Sequence, residues 1–196
     1  MGIVAATQLQ RPGGRSARVR AAVHAAVLEL VEENPWDALT VAMVADRSGV
    51  HQATIYRRWE SLGGVLDDVV AEQIAQTAPI PDTGSLRGDL EAYAEQVAAH
   101  LAGSLGTLIL RAAFVDLGTG VQPRMPPAVM EREQPLKAML DRAHARGEHP
   151  PTHGQLMDII LAPLYFHTLF GTPLDAEQAH ELVDRLLSLT RHQRSA

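Results

Sequence analysis

His51, Gln52, Thr54, Tyr56, Arg57 and Arg58 fall close together in "SGVHQATIYRRWESLGG", residues 48–64. Their types and spacing suit recognition of base edges and phosphates rather than the making or breaking of bonds. His51, Gln52 and Thr54 are placed to reach bases: Gln pairs bidentately with adenine, and Thr offers a hydroxyl and a methyl group. Tyr56, Arg57 and Arg58 suit phosphate, a contact that fixes orientation without reading sequence. Catalysis lacks its parts. The chain has no Cys, which removes thiolate nucleophiles, disulfides and cysteine-held zinc. His144, His149 and His153 cluster in sequence, but Gly147, Pro150 and Pro151 between them mark a surface loop, and no metal site is expected. "GTGVQP" from residue 118 lacks a third glycine and a preceding strand, and there is no phosphate-cradling lysine loop, G-x-S-x-G or H-E-x-x-H. Catalytic residues and cofactors are therefore expected to be none.

The elements that must position those side chains read as helices. From Arg15 to Glu33, apolar residues at Val19, Val23, Ala26, Val27, Leu30 and Val31 keep helical spacing, and Asn34-Pro35 ends the run. Trp36 and Leu39 lean on the same core. Thr40 caps a short second helix, VAMVADRSG, which Gly49 closes with a tight turn. The third helix runs from about His51 to Trp59. Ile55 and Trp59 share its inner face, while Ala53, Tyr56 and Arg57 project from the other. Two short helices around a glycine turn form a helix-turn-helix, whose second helix enters the DNA major groove with its N-terminal residues foremost. Thr40 and the free amides that start helices 2 and 4 add further phosphate contacts, because helix N-termini carry partial positive charge. Arg15 and Arg18, at the front of helix 1, are placed to lie along an adjacent groove or strand.

Ser61 caps helix 4, with Leu62, Val65, Leu66, Val69, Val70 and Ile74 on one face. Turn formers in PIPDTGS, residues 79–85, separate head from body. The expected division is a flexible basic arm (1–14), a helix-turn-helix domain (15–60), connecting helix 4 (61–78) and a ligand-binding and dimerisation domain (79–196). In the body, helical patterns recur over Leu86 to Leu101, Leu105 to Leu117, Ala128 to Arg146, Gln155 to Phe170 and Ala176 to Arg191. No sustained period-2 alternation indicates a strand. The expected fold class is all-α, with a three-helix DNA-binding head, a helical body and about nine helices in total.

Charge distribution agrees with a nucleic-acid partner at one end only. The formal net charge is -6 over 196 residues, which argues against a surface that coats nucleic acid throughout. Residues 1–60 carry seven basic and six acidic side chains, and the remainder ten and seventeen. No run approaches the ~18 apolar residues of a membrane span, and the start resembles no secretory leader. A cytoplasmic location without membrane attachment is expected.

An apolar pocket with a few polar groups is expected in the body, with Phe114, Met125, Met130, Tyr165 and His167 as candidate lining. Ile159, Ile160, Pro163, Phe166 and Phe170 form one apolar stripe, and Leu182, Leu186 and Leu189 another. Two such stripes from each of two chains bury one another as a four-helix bundle; an internal core is the alternative for each residue.

The stretch "LTVAMVADRSGVHQATIYRRWESLGGVLDDVV" resembles the DNA-binding head of the tetracycline-repressor (TetR) family: a Thr-capped helix, Ala45, Gly49-Val50, Ala53-Thr54-Ile55-Tyr56 and an aromatic at Trp59. The resemblance covers about residues 15–74. It implies an all-helical homodimer that binds double-stranded operator DNA and represses transcription until an unidentified small molecule binds the body. It places Thr40, His51, Gln52, Thr54, Tyr56, Arg57 and Arg58 at DNA-facing positions. One departure stands out: the family usually has lysine then an acid where this chain has Leu62 and Gly63, so one phosphate contact is expected to be missing. "RAHARGEHPPTHGQLMDIILAPLYFHTLFGTPLDAEQAHELVDRLL" is similar to one TetR-like body subgroup and implies that helices 8 and 9 pair across the dimer. The alternatives are a factor of this fold without an inducer, constitutive or activating, and a helical metal-dependent hydrolase.

Overall fold

The computed structural model describes residues 14–34, 38–76, 79–115 and 122–192. Residues 1–13 of the expected arm, Trp36 and Leu117 lie outside them. Among the described residues every regular element is helical, with nine helices longer than one turn. Helix α1 (Gly14–Glu33) buries Val23, Val27 and Leu30, and the Asn34 side chain donates to the Leu30 carbonyl at its end. Helix α2 (Val41–Ser48) starts at Thr40, whose hydroxyl accepts from the Met43 amide, and stops at Gly49, where φ is 67°. An L side chain resists that left-handed conformation, and glycine does not. Helix α3 (Gln52–Trp59) follows at once, with Ile55 fully buried and Trp59 nearly so. Burying the Ile55 side chain stabilises the head by about 1.5–3 kcal/mol.

Helix α4 (Leu62–Gln76) opens under Ser61, whose hydroxyl accepts from the Gly64 amide. Its first turn presses on the end of α3 so closely that a Cβ at Gly64 would lie 2.1 Å from the Trp59 carbonyl oxygen. Backbone on both sides leaves nothing flexible to yield. Gly64→Ala is expected to cost about 1–3 kcal/mol, read as a lower thermal unfolding midpoint; an unchanged midpoint would mean the α3–α4 approach is looser than described.

The body is built on α5 (Leu86–Ala102), which packs against the last helix, and α6 (Ser104–Phe114), which turns 76° from α5 and packs against α4 and α1. A one-turn helix (Pro127–Met130) and α7 (Glu133–Ala145) stand where a single helix from Ala128 to Arg146 was expected. Pro135 explains the break. In the first turn of α7 its missing N–H costs nothing, whereas inside a longer helix it would remove a ladder bond and clash.

Helix α8 spans residues 153–169 as His153–Leu156, a π-helical turn Met157–Leu161 and Ala162–Leu169. It begins two residues before the expected Gln155, because Thr152 and Gln155 form a reciprocal capping box. Pro163 has no N–H for the Ile159 carbonyl, and the ladder widens beside it, with the Ala162 amide reaching back to Met157. Helix α9 (Ala176–His192) lies along α5. There the structure corrects the expected interface: Leu182 and Leu186 are buried in the chain's own core, at 6% and 0% exposure. Their side chains are taken up by the body, leaving Leu189, 47% exposed, as the surface residue of that stripe.

Candidate nucleic-acid interface and ligand cavity

Helix α3 presents an open outer face. His51, Gln52, Ala53, Tyr56, Arg57 and Arg58 are exposed and Thr54 is half-buried, with Ile55 and Trp59 beneath. Gln52, at the first helical position, and Arg57 have no side-chain hydrogen-bond partner among the described residues, so both remain available to a ligand. His51 is the N-cap: its Nδ1 accepts the Ala53 amide at 3.2 Å. An accepting Nδ1 carries no proton in the neutral ring, which leaves Nε2–H as the donor on the outer edge. Thr40 is exposed and its oxygen is the cap of α2, while the hydroxyl proton stays available. Arg15 and Arg18 are exposed on the first turns of α1.

Arg58, expected to hold phosphate, also has partners within the chain. Its guanidinium donates to the Ser16 carbonyl at 2.9 Å and hydroxyl at 2.7 Å, and lies 4.9 Å over the Trp59 ring. It holds the start of α1 against α3. Leu62 packs on the core and Gly63 is buried, so neither provides a cation at the start of α4.

The recognition face is held by a carboxylate that sequence reasoning missed. Asp68 of α4 accepts from Arg20 Nε at 3.0 Å and its terminal nitrogen at 2.9 Å, from His24 Nε2 at 2.9 Å, and from the Trp59 indole at 2.8 Å. One side chain therefore joins α1, α3 and α4. Burial pushes the Asp68 carboxyl up, but the hydrogen bonds from Arg20, Trp59 and His24 outweigh it and hold it well below the usual carboxylate range. Its neighbour Asp67 faces the other way and accepts from Arg124 at 2.5 Å.

A cavity of about 330 Å³ lies in the body, lined by residues of α4, α5, α6, the one-turn helix, α7 and α8. Of the expected lining, Met125, Met130 and Tyr165 are there, but Phe114 and His167 are not. His167 sits two residues beyond Tyr165 on α8 and faces Thr172 across 3.3 Å. The polar groups at the wall, Tyr93, Gln96, His100, Arg132, Glu133, His153 and Asp158, come from three separate segments. Burial, then the nearby Arg132 charge, lowers the His100 pKa and favours its neutral form. Among the described residues no three His, Asp or Glu side chains gather as a metal site, and no single helix is long and apolar enough to cross a membrane.

On the outside of α8, Phe166, Leu169 and Phe170 are 61%, 46% and 65% exposed, and the two rings lie 4.8 Å apart. Ile159 and Pro163 are half-buried on the same helix.

Known proteins align with both halves of this architecture. Residues 24–69 match the model of "Bacterial regulatory proteins, tetR family", and residues 80–186 match "Tetracyclin repressor-like, C-terminal domain". The chain is 30% identical over 183 residues to the HTH-type transcriptional regulator AqdR of Rhodococcus erythropolis, covering 91% of this chain and 88% of that protein. It is 33% identical over 182 residues to the HTH-type transcriptional regulator YdeS of Bacillus subtilis, covering 90% and 91%. A TetR transcriptional regulator from Agrobacterium tumefaciens superposes with a TM-score of 0.63 at 18% identity, over 87% of this chain and 93% of that one. One from Rhodococcus sp. RHA1 superposes with a TM-score of 0.59 at 18% identity, over 90% and 97%.

Proposed function

The chain belongs to the TetR family of DNA-binding transcriptional regulators, and from that premise we propose that it is a repressor that binds palindromic operator DNA as a homodimer and is released by a small molecule held in the body cavity. The observation that carries this reading is the pair of adjacent carboxylates on α4. Asp68 grips Trp59 of the recognition helix, while Asp67 grips Arg124, next to Met125 of the cavity wall. A shift of α4 against that wall moves α3. In a dimer, two copies of α3 must meet successive major grooves ~34–36 Å apart, and a rotation of α4 alters that separation. The exposed Phe166, Leu169 and Phe170 supply an apolar surface for the second copy, with Ile159 and Pro163 half-buried on the same helix and Leu189 exposed on α9.

A ligand shifts such an equilibrium only by its differential affinity for the two states, so effector and DNA are expected to oppose one another. Selection of bound fragments from genomic DNA, followed by fluorescence anisotropy on the recovered site, tests the DNA half of the reading. Gln52→Ala is expected to relax preference at one base position by about 1–3 kcal/mol, whereas Arg57→Ala weakens all sequences alike and flattens the salt dependence. Binding unaltered by either change would remove α3 from the interface.

A further inference from the structure

Resting on the reading of the cavity as the effector site, we infer that its ligand is uncharged and elongated, a largely hydrocarbon molecule with one hydroxyl or carbonyl oxygen that meets His153. Most of the wall is hydrocarbon, with Ile74, Val97, Leu101, Leu105, Ile109 and Leu136 contributed by four helices. Such a surface accepts an apolar body and fixes no orientation. Its length follows α8, where His153, Met157, Leu161 and Tyr165 succeed one another at intervals of four and all line the cavity. That stretch of helix rises about 18 Å, so the wall suits a chain better than a compact body.

Arg132, Glu133 and Asp158 bring charges of both signs to the wall. Arg132 is engaged with the Tyr93 hydroxyl, Glu133 accepts from Lys137 and lies near His153, and Asp158 is exposed. A charged head of either sign would therefore meet a like charge as well as an opposite one, in poorly screened surroundings. The titratable groups beside them agree. Burial, with Arg132 adding to it, lowers the His100 pKa, and burial raises those of Tyr93 and Tyr165 although Arg132 opposes it. All three side chains are held in their neutral forms, so the wall resists a cation and an anion alike.

Hydrogen bonding is the demand that remains. His153 Nε2 is buried at the wall with no hydrogen-bond partner among the described residues. A buried polar atom left in this way is costly unless something meets it. The Thr152–Gln155 capping box fixes the residue at the first position of α8, so the backbone cannot easily swing the ring away. A plain hydrocarbon would leave that atom unmet. An uncharged oxygen meets it without adding a charge: a hydroxyl suits either tautomer of the ring, and a carbonyl suits Nε2–H.

Calorimetric titration of the full chain at neutral pH with decanol, decanoate and decylamine tests this, because the three probes share one tail and differ in the head. Decanol is expected to bind about tenfold more tightly than either charged probe. His153→Phe, which keeps a ring and removes the hydrogen bond, should weaken decanol about fivefold, and His153→Gln should recover part of that loss. Circular dichroism checks that each variant folds, and the comparison of heads in the native chain stands without any variant. No binding of decanol, equal or tighter binding of decanoate or decylamine, or decanol affinity that a folded His153→Phe leaves unchanged overturns the inference. Anisotropy of the DNA complex separates it from the reading beneath it. Decanol that binds through His153 yet leaves DNA bound would refute the effector role of the cavity and keep the ligand class.

Discussion

Asp68→Ala is expected to lower the stability of the head by about 3 kcal/mol and to abolish tight DNA binding. The substitution strands the His24 imidazole and the Trp59 indole N–H in a largely buried position and leaves Arg20 with Glu72 alone. Each buried donor left without an acceptor costs about 1–3 kcal/mol. For a chain of this size the melting temperature should fall by about 6–12 °C. Asp68→Asn keeps an acceptor for Trp59 and loses the charge, and should fall between the two. The pH dependence has a fixed sign. The folded-state pKa of Asp68 is depressed, so its contribution is fully present above the unfolded value of about 3.9 and is lost as pH falls below it. The stability gap between the native chain and Asp68→Asn should therefore narrow as urea titrations move from neutral pH to below pH ~4. A constant gap, or a normal melting temperature for Asp68→Ala, would show that the three helices are joined by packing alone.

Arg111→Met should produce a comparable loss from the other side of the head. Arg111, on α6, is 3% exposed and donates to the carbonyls of Val31 and Asn34 at the C-terminal end of α1. Those carbonyls have no partner within α1 itself, and a cation there also complements the helix dipole. Methionine fills similar volume but donates nothing, so the expected cost is about 3 kcal/mol, the worth of one or two hydrogen bonds from a charged group. Ile109, two residues earlier on α6, lines the cavity. The same substitution should therefore weaken the antagonism between effector and DNA, measured as the ratio of DNA affinities with and without saturating effector. Unchanged stability would mean that the end of α1 is satisfied without α6.

The recognition head was legible in the sequence because its signals are local. Thr40, Gly49 and Ser61 mark helix ends through their own backbone, and Ile55 and Trp59 declare the inner face of α3 by a spacing of four. Features fixed by distant partners were not. Arg20 and His24 share a face of α1 at the same spacing, which hinted at an acid to meet them, but nothing local pointed to Asp68, forty-four residues beyond His24. Arg58 reads as a phosphate ligand, and its tie to Ser16 shows only in the fold. Leu182 and Leu186 repeat as a stripe that has the same period whether it faces α5 or a second chain, and only the packing of α9 decides. The cavity follows the same rule. Met125, Met130 and Tyr165 were found from their positions along the chain, whereas His100, Arg132 and His153 converge only when α5, α7 and α8 are assembled.

Helix α8 lines the cavity with Met157, Leu161 and Tyr165 and shows Phe166 and Phe170 to the outside. In a dimer seated on those rings, the two cavities would be separated by two helices back to back, one copy of α8 from each chain. Filling one site would then alter the cost of filling its twin, and the response to effector would be steeper than independent sites allow. Such a regulator acts as a threshold device, nearly silent over a range of low concentrations and then switching within a narrow one.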